Sequence, residues 1–99
     1  MDGEALISHD VLARYAADAA LEVTGVSGLV DGHLPGRRGV RIDDGDGRMS
    51  LELHVAVAWG ASIPEVGARV QQHVGEYLAR MADVRPASVD VVVDEVAER

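Results

Sequence analysis

His9, His33, His54 and His73 are the side chains of this 99-residue chain best suited to chemistry at neutral pH, as metal ligands or as acid–base groups. Ligands on one helix or strand need i,i+4 or i,i+2 spacing, and no two of these histidines have either. They read as dispersed surface histidines, and no metal site is expected. Asp43, Asp44 and Asp46 hint at a calcium loop. An EF-hand pattern started at Asp44, however, places Arg48 where an oxygen ligand is required, and a hairpin turn accounts for the same residues. Ser8, Ser27, Ser50, Ser62 and Ser88 could act as nucleophiles only beside a base, and there is no G-x-S-x-G elbow. The absence of cysteine removes disulfides, thiol nucleophiles and zinc–thiolate sites. Each Asp and Glu falls on a polar face or in a turn. The expectation is therefore no catalytic residue, no cofactor and no small-molecule substrate: not an enzyme.

Two glycine pairs, Gly25-x-x-Gly28 and Gly36-Arg37-Arg38-Gly39, could suggest phosphate cradles, but neither follows a strand and opens a helix. Arg37, Arg38 and Arg41 form the only basic cluster. They are a weak candidate for an anion contact, set against the ordinary solvation of loop arginines. All nine basic residues are arginine and the formal net charge is -8, a balance that repels phosphate backbones and anionic lipid. Nucleic acid is therefore not an expected partner. No stretch approaches the roughly 18 apolar residues of a membrane span, and the N-terminus is acidic where a signal peptide starts basic. A cytoplasmic protein without direct membrane insertion is expected.

The elements that position these residues follow from periodicity. Val11, Leu12, Tyr15, Ala16, Ala19, Ala20 and Val23 fall on one face of a helix, with Ser8 placed to cap it and Gly25 to stop it. Residues 25–38 read as a glycine-rich connection, with a mobile loop over about 31–38. Val40 and Ile42 begin a hairpin that turns at Asp44-Gly45-Asp46-Gly47. Leu51, Leu53, Val55, Val57 and Trp59 then alternate with Glu52, His54, Ala56 and Ala58, a strand with one greasy face. Ser62-x-x-Glu65 is a capping box for a second helix, whose Val66, Val70, Val74, Leu78 and Met81 repeat at helical spacing beside Ile63 and Tyr77. Val89, Val91 and Val93 mark the last strand, with Val92 out of phase on the outer face or at a bulge. The fold expected is α+β: a two-layer sandwich in the order α-β-β-α-β, with a three-stranded mixed sheet and both helices on one face. One domain over 1–99, with an ordered core over about 7–96, is expected.

That arrangement leaves one sheet face free. Arg41, Asp43, Glu52, His54, Ala56, Ala58, Asp90, Val92 and Asp94 should share it, with Ala56, Ala58 and Val92 as a small, flat, weakly apolar patch. It is the candidate protein-contact face.

Read in order, the chain resembles the bacterial alkaline-shock family, associated with envelope stress. The N-terminal match is Ile7-Ser8, Val11-Leu12, Ala16, Ala19, Glu22-Val23, Gly25-Val26 and Gly28-Leu29. The C-terminal match is Trp59-Gly60, Ile63-Pro64, Val66, Val70-Gln71, Val74, Leu78, Met81 and Val89, Val91, Val93. The family more often has Tyr where Trp59 stands, and a Gly near Asp83. The resemblance implies a non-enzymatic scaffold of the cell-envelope stress response. Such a protein self-associates and is held at the inner face of the membrane by a membrane-anchored partner. The alternative is a KH-like nucleic-acid-binding domain, with Gly25-Val26-Ser27-Gly28 as its loop. That loop, however, leaves a helix toward a strand in an acidic chain. Iron–sulfur assembly scaffolds share the element order but hold their cluster with cysteines.

Overall fold

The computed structural model describes residues 7–30 and 39–98. The expected mobile loop over 31–38 lies outside them. Helix α1 spans His9–Leu21, with the Ser8 hydroxyl accepting from the Val11 N–H at 3.2 Å. Three strands follow: β1 (Val26–Leu29), β2 (Val40–Asp43) and β3 (Ser50–Ala58). Helix α2 spans Ile63–Ala82, with the Ser62 hydroxyl accepting from the Glu65 N–H at 3.4 Å and Pro64 in its first turn. Strand β4 (Ser88–Ala97) completes the order. Helix α2 ends on Asp83 in the left-handed conformation, φ 55°, a position that favours glycine.

Strand β3 is central. It pairs in parallel with β4 along its whole length, Ser50 opposite Ser88 and Ala58 opposite Ala97. On its other edge it pairs antiparallel with β2 over Ser50–Leu53 and with β1 over Val55–Val57. The two short strands are therefore halves of one interrupted lane. The break lies opposite His54, whose carbonyl accepts from the Val30 N–H and whose own N–H donates to the Gly39 carbonyl, both at 2.8 Å. Gly39 is needed there: its φ is +80°, and a Cβ would sit 2.6 Å from the Val30 carbonyl oxygen.

The core lies between the sheet and the helices. Leu53, Val55 and Val57 of β3 are 0 % exposed, as are Ala16, Ala19 and Ala20 of α1 and Val70, Val74 and Leu78 of α2. The alanines have short side chains, so α1 can lie close to the strands. Arg14 of α1 and Glu65 of α2 are exposed, on the faces turned away from this core.

The α+β two-layer class, the mixed sheet and the placement of both helices on one side are as the periodicity predicts. Three points differ. The sheet has four strands and the order is α-β-β-β-α-β, because Val26–Leu29 is a strand and not part of a connection. Its four residues carry a bulge between Val26 and Gly28, so no period-2 signal survives, and pairing with β3 supplies what local propensity does not. Trp59 does not continue the greasy face. It lies just past the end of β3 and is 68 % exposed. Met81, expected in the α2 core stripe, and Ile63, expected beside it, are also exposed, because each sits at an end of the helix beyond the sheet's cover.

Candidate functional site

On the face of the sheet turned away from the helices, strand register brings the expected residues together. Arg41 lies opposite Glu52 on one side and Asp90 lies opposite Glu52 on the other. Val92 lies opposite His54, which settles it on the outer face. Asp43, Ser50, Arg41, Glu52 and Asp90 line a shallow recess of about 250 Å3. Ala56 is nearer to buried than its place in the patch suggests, at 6 % exposed, while Ala58 and Val92 are half-buried. Arg37 and Arg38 lie outside the described residues, and Arg41 is exposed on β2. Gly25 and Gly28 belong to the turn into β1 and to β1 itself, whose ladder runs along β3. That placement differs from a phosphate loop between two helices.

The centre of the face is a linked trio. His54 Nε2 lies 2.6 Å from Glu52 Oε2, and His54 Nδ1 lies 2.6 Å from Asp94 Oδ2. Ionised carboxylates only accept, so both ring nitrogens must donate, and only the imidazolium does so. The hydrogen bond donated to Glu52, then that donated to Asp94, raises the His54 pKa above the ordinary histidine value, against a smaller opposing effect of burial. Asp94 reaches the ring from a bulge in β4, where the register slips so that Val93 opposes Val55 and Glu95 opposes Ala56. The slip places two successive acidic residues, Asp94 and Glu95, toward the same face.

Sequence parity finds Glu52, His54 and Asp94 separately but not their bonding, and it misses Glu95 because the bulge resets the alternation. Two other histidine–carboxylate contacts were also hidden. His73 Nε2 meets Glu22 Oε1 at 2.6 Å, joining α2 to the end of α1 beside a cleft of about 410 Å3. His9 Nε2 meets Asp44 Oδ2 at 2.9 Å, tying α1 to the β2–β3 turn. Separations of 51 and 35 residues leave no local signal for either. Asp43 Oδ1 accepts from the Gly45 N–H at 2.9 Å, which is the turn role proposed for the aspartates. Trp59, Ile63 and Val96, all exposed, gather at the end of the molecule where β3 and β4 finish and α2 begins.

Fold and face together define a two-layer α+β domain whose helices cover one side of its sheet. The chain belongs to the alkaline-shock-protein-23 family, which has a cell envelope-related function and whose pattern matches residues 1–98. It is 28% identical over 99 residues to the Bacillus subtilis protein YqhY, itself uncharacterized, covering 90% of this chain and 73% of that one. Among solved structures, the fold is similar to variants of the MamM CTD. A cadmium form matches with a TM-score of 0.60 at 16% identity, covering 91% of this chain and 100% of that one. A nickel form matches at 0.57 and 16%, covering 91% and 98%. Among the described residues no helix is long and apolar enough to cross a membrane.

Proposed function

We propose that this chain is a non-enzymatic protein–protein interaction module of the cell-envelope stress response. It associates with itself through the outer sheet face and is held at the inner side of the membrane by an anchored partner. The observation that carries this reading is the outer face: among the described residues no helix lies over it, and it presents Arg41, Asp90, Val92 and the Glu52–His54–Asp94 trio. The family's envelope-related function supports it. So does the use made of the chemically able side chains: the hydroxyls of Ser8 and Ser62 cap helices, and His9, His54 and His73 are each bonded to carboxylates.

Sedimentation of the pure protein, with co-purification from native lysate in the presence and absence of the membrane fraction, tests the proposal. Concentration-dependent association and recovery with the membrane fraction are expected. A strict monomer that recovers no partner contradicts it. The KH-like alternative is tested by a mobility-shift assay at low salt, where the net charge of -8 favours no binding.

A further inference from the structure

The trio at the centre of the outer face has a mechanical position as well as a charge. His54 is where three parts of the sheet meet. Its backbone N–H and carbonyl hold Gly39 and Val30, the two ends of the interrupted lane, at 2.8 Å each. Its ring holds Asp94, the residue at the β4 bulge, at 2.6 Å. A bulged strand has lost a regular rung of its ladder, so a side-chain bond at that point matters more than one on a continuous strand.

We propose that His54 is a proton-operated latch: as the imidazolium it clasps Glu52 and Asp94 together, and on losing a proton it releases one carboxylate and weakens association through the outer face. The chemistry follows from the donor count. A neutral imidazole has one N–H, so one of the two contacts must lose its hydrogen and leave a nitrogen lone pair facing a carboxylate. The trio then loses its one positive charge and keeps both carboxylates, which makes more negative a surface that already carries Asp90 and Glu95.

Among the described residues, the charged groups that face the ring are Glu52 from β3 and Asp94 from β4. Arg41 of β2 and Asp90 of β4 flank Glu52, and Glu95 of β4 lies beside Ala56. Strand β1 has no charged residue, and both helices lie on the other side of the sheet. Among the described residues of this face the one arginine is Arg41, which strand register places opposite Glu52 rather than beside Asp94. Two copies meeting through this face would each bring the added charge, and repulsion between them opposes the contact.

The regulatory half of this inference rests on the outer face being the contact surface, and the experiment separates the two. The histidine ring resonances are followed by NMR from about pH 5 to about pH 10, across the range where imidazoles titrate. Sedimentation is measured over the same range for the wild type, His54→Gln and His73→Gln. The expected result is a His54 midpoint above the ordinary histidine value. Through that midpoint, association should fall about fivefold to tenfold in the wild type and in His73→Gln, with no matching fall in His54→Gln. A His54 ring that is already neutral below the ordinary histidine midpoint overturns the latch. A pH response that survives unchanged in His54→Gln overturns it too. A wild type that is monomeric throughout overturns the contact reading and the regulation built on it. That failure is recognisable because the His54 midpoint still reports whether the clasp exists.

Discussion

The two faces of β3 are made by alternate residues of one nine-residue strand, yet they do opposite work. Toward the helices, Leu51, Leu53, Val55 and Val57 are 0–1 % exposed and belong to the apolar core cluster. Toward the outside, Glu52 and His54 keep partial exposure and bond to each other and to Asp94. The first face is non-directional: its energy scales with the apolar area removed from water, and many aliphatic residues of the right size would serve. The second is directional: it needs particular donors facing particular acceptors, and changing one atom's protonation changes the pattern. Stability therefore resides mainly on one side of the sheet, while specificity and responsiveness reside on the other.

The largest effect that would sharpen this contrast comes from exchanging character across the strand. Leu53→Asp places an unpaired charge at a site that is 0 % exposed, and a cost of several kcal/mol, comparable with the whole stability of a small domain, should unfold it. Glu52→Gln, one residue away, should leave thermal unfolding within about 0.5 kcal/mol of the wild type. Equal losses in circular-dichroism melts of the two variants would mean the faces are not distinct in this way.

Next in size is Gly39→Ala. It forces a Cβ into a φ of +80° and against the Val30 carbonyl, and should cost about 1–3 kcal/mol in denaturant unfolding. A neutral result would show that the break in the lane is not pinned at His54.

A smaller effect is the pH dependence of stability. Folding raises the His54 pKa above its ordinary value of 6.5. The stability this adds is complete below that ordinary value and is lost as pH climbs through the raised, folded value. Melting temperature should therefore fall from mildly acid to alkaline pH, a smaller change than Leu53→Asp or Gly39→Ala produces because the trio is partly screened by solvent. His54→Gln should flatten that fall. A melting temperature that instead rises over the same interval in the wild type would contradict the clasp.

Much of the helix-side face was legible from residue order, because period 3.6 and period 2 are direct consequences of burying one side of a helix or strand. Leu51 to Val57 and Val66 to Leu78 announce themselves in this way. The caps at Ser8 and Ser62 were legible for a similar reason: their bonds close within three residues. Strand β1 was not legible, since Val26–Leu29 becomes a strand only through pairing with residues some 26 to 31 positions further along. Trp59 was misplaced because alternation has no built-in end, and the strand stops one residue before it. On the outer face, membership was legible and interaction was not. Parity places His54 and Asp94 on the same side, but their bond spans 40 residues and depends on a bulge that no spacing rule announces. Asp83 is an instructive case: it caps helix α2 in the left-handed conformation that glycine usually takes, and no spacing rule marks an aspartate for that place.

The central claim is that the outer face is a contact surface rather than an ordinary solvated one. Val92→Glu tests it most directly, because Val92 lies at the middle of that acidic face opposite His54 and outside the helix-side core. Sedimentation equilibrium of the folded variant should show association weakened by about tenfold or more relative to the wild type, the expected cost of an uncompensated charge within an interface. Identical sedimentation of the two proteins across the concentration range would contradict the claim.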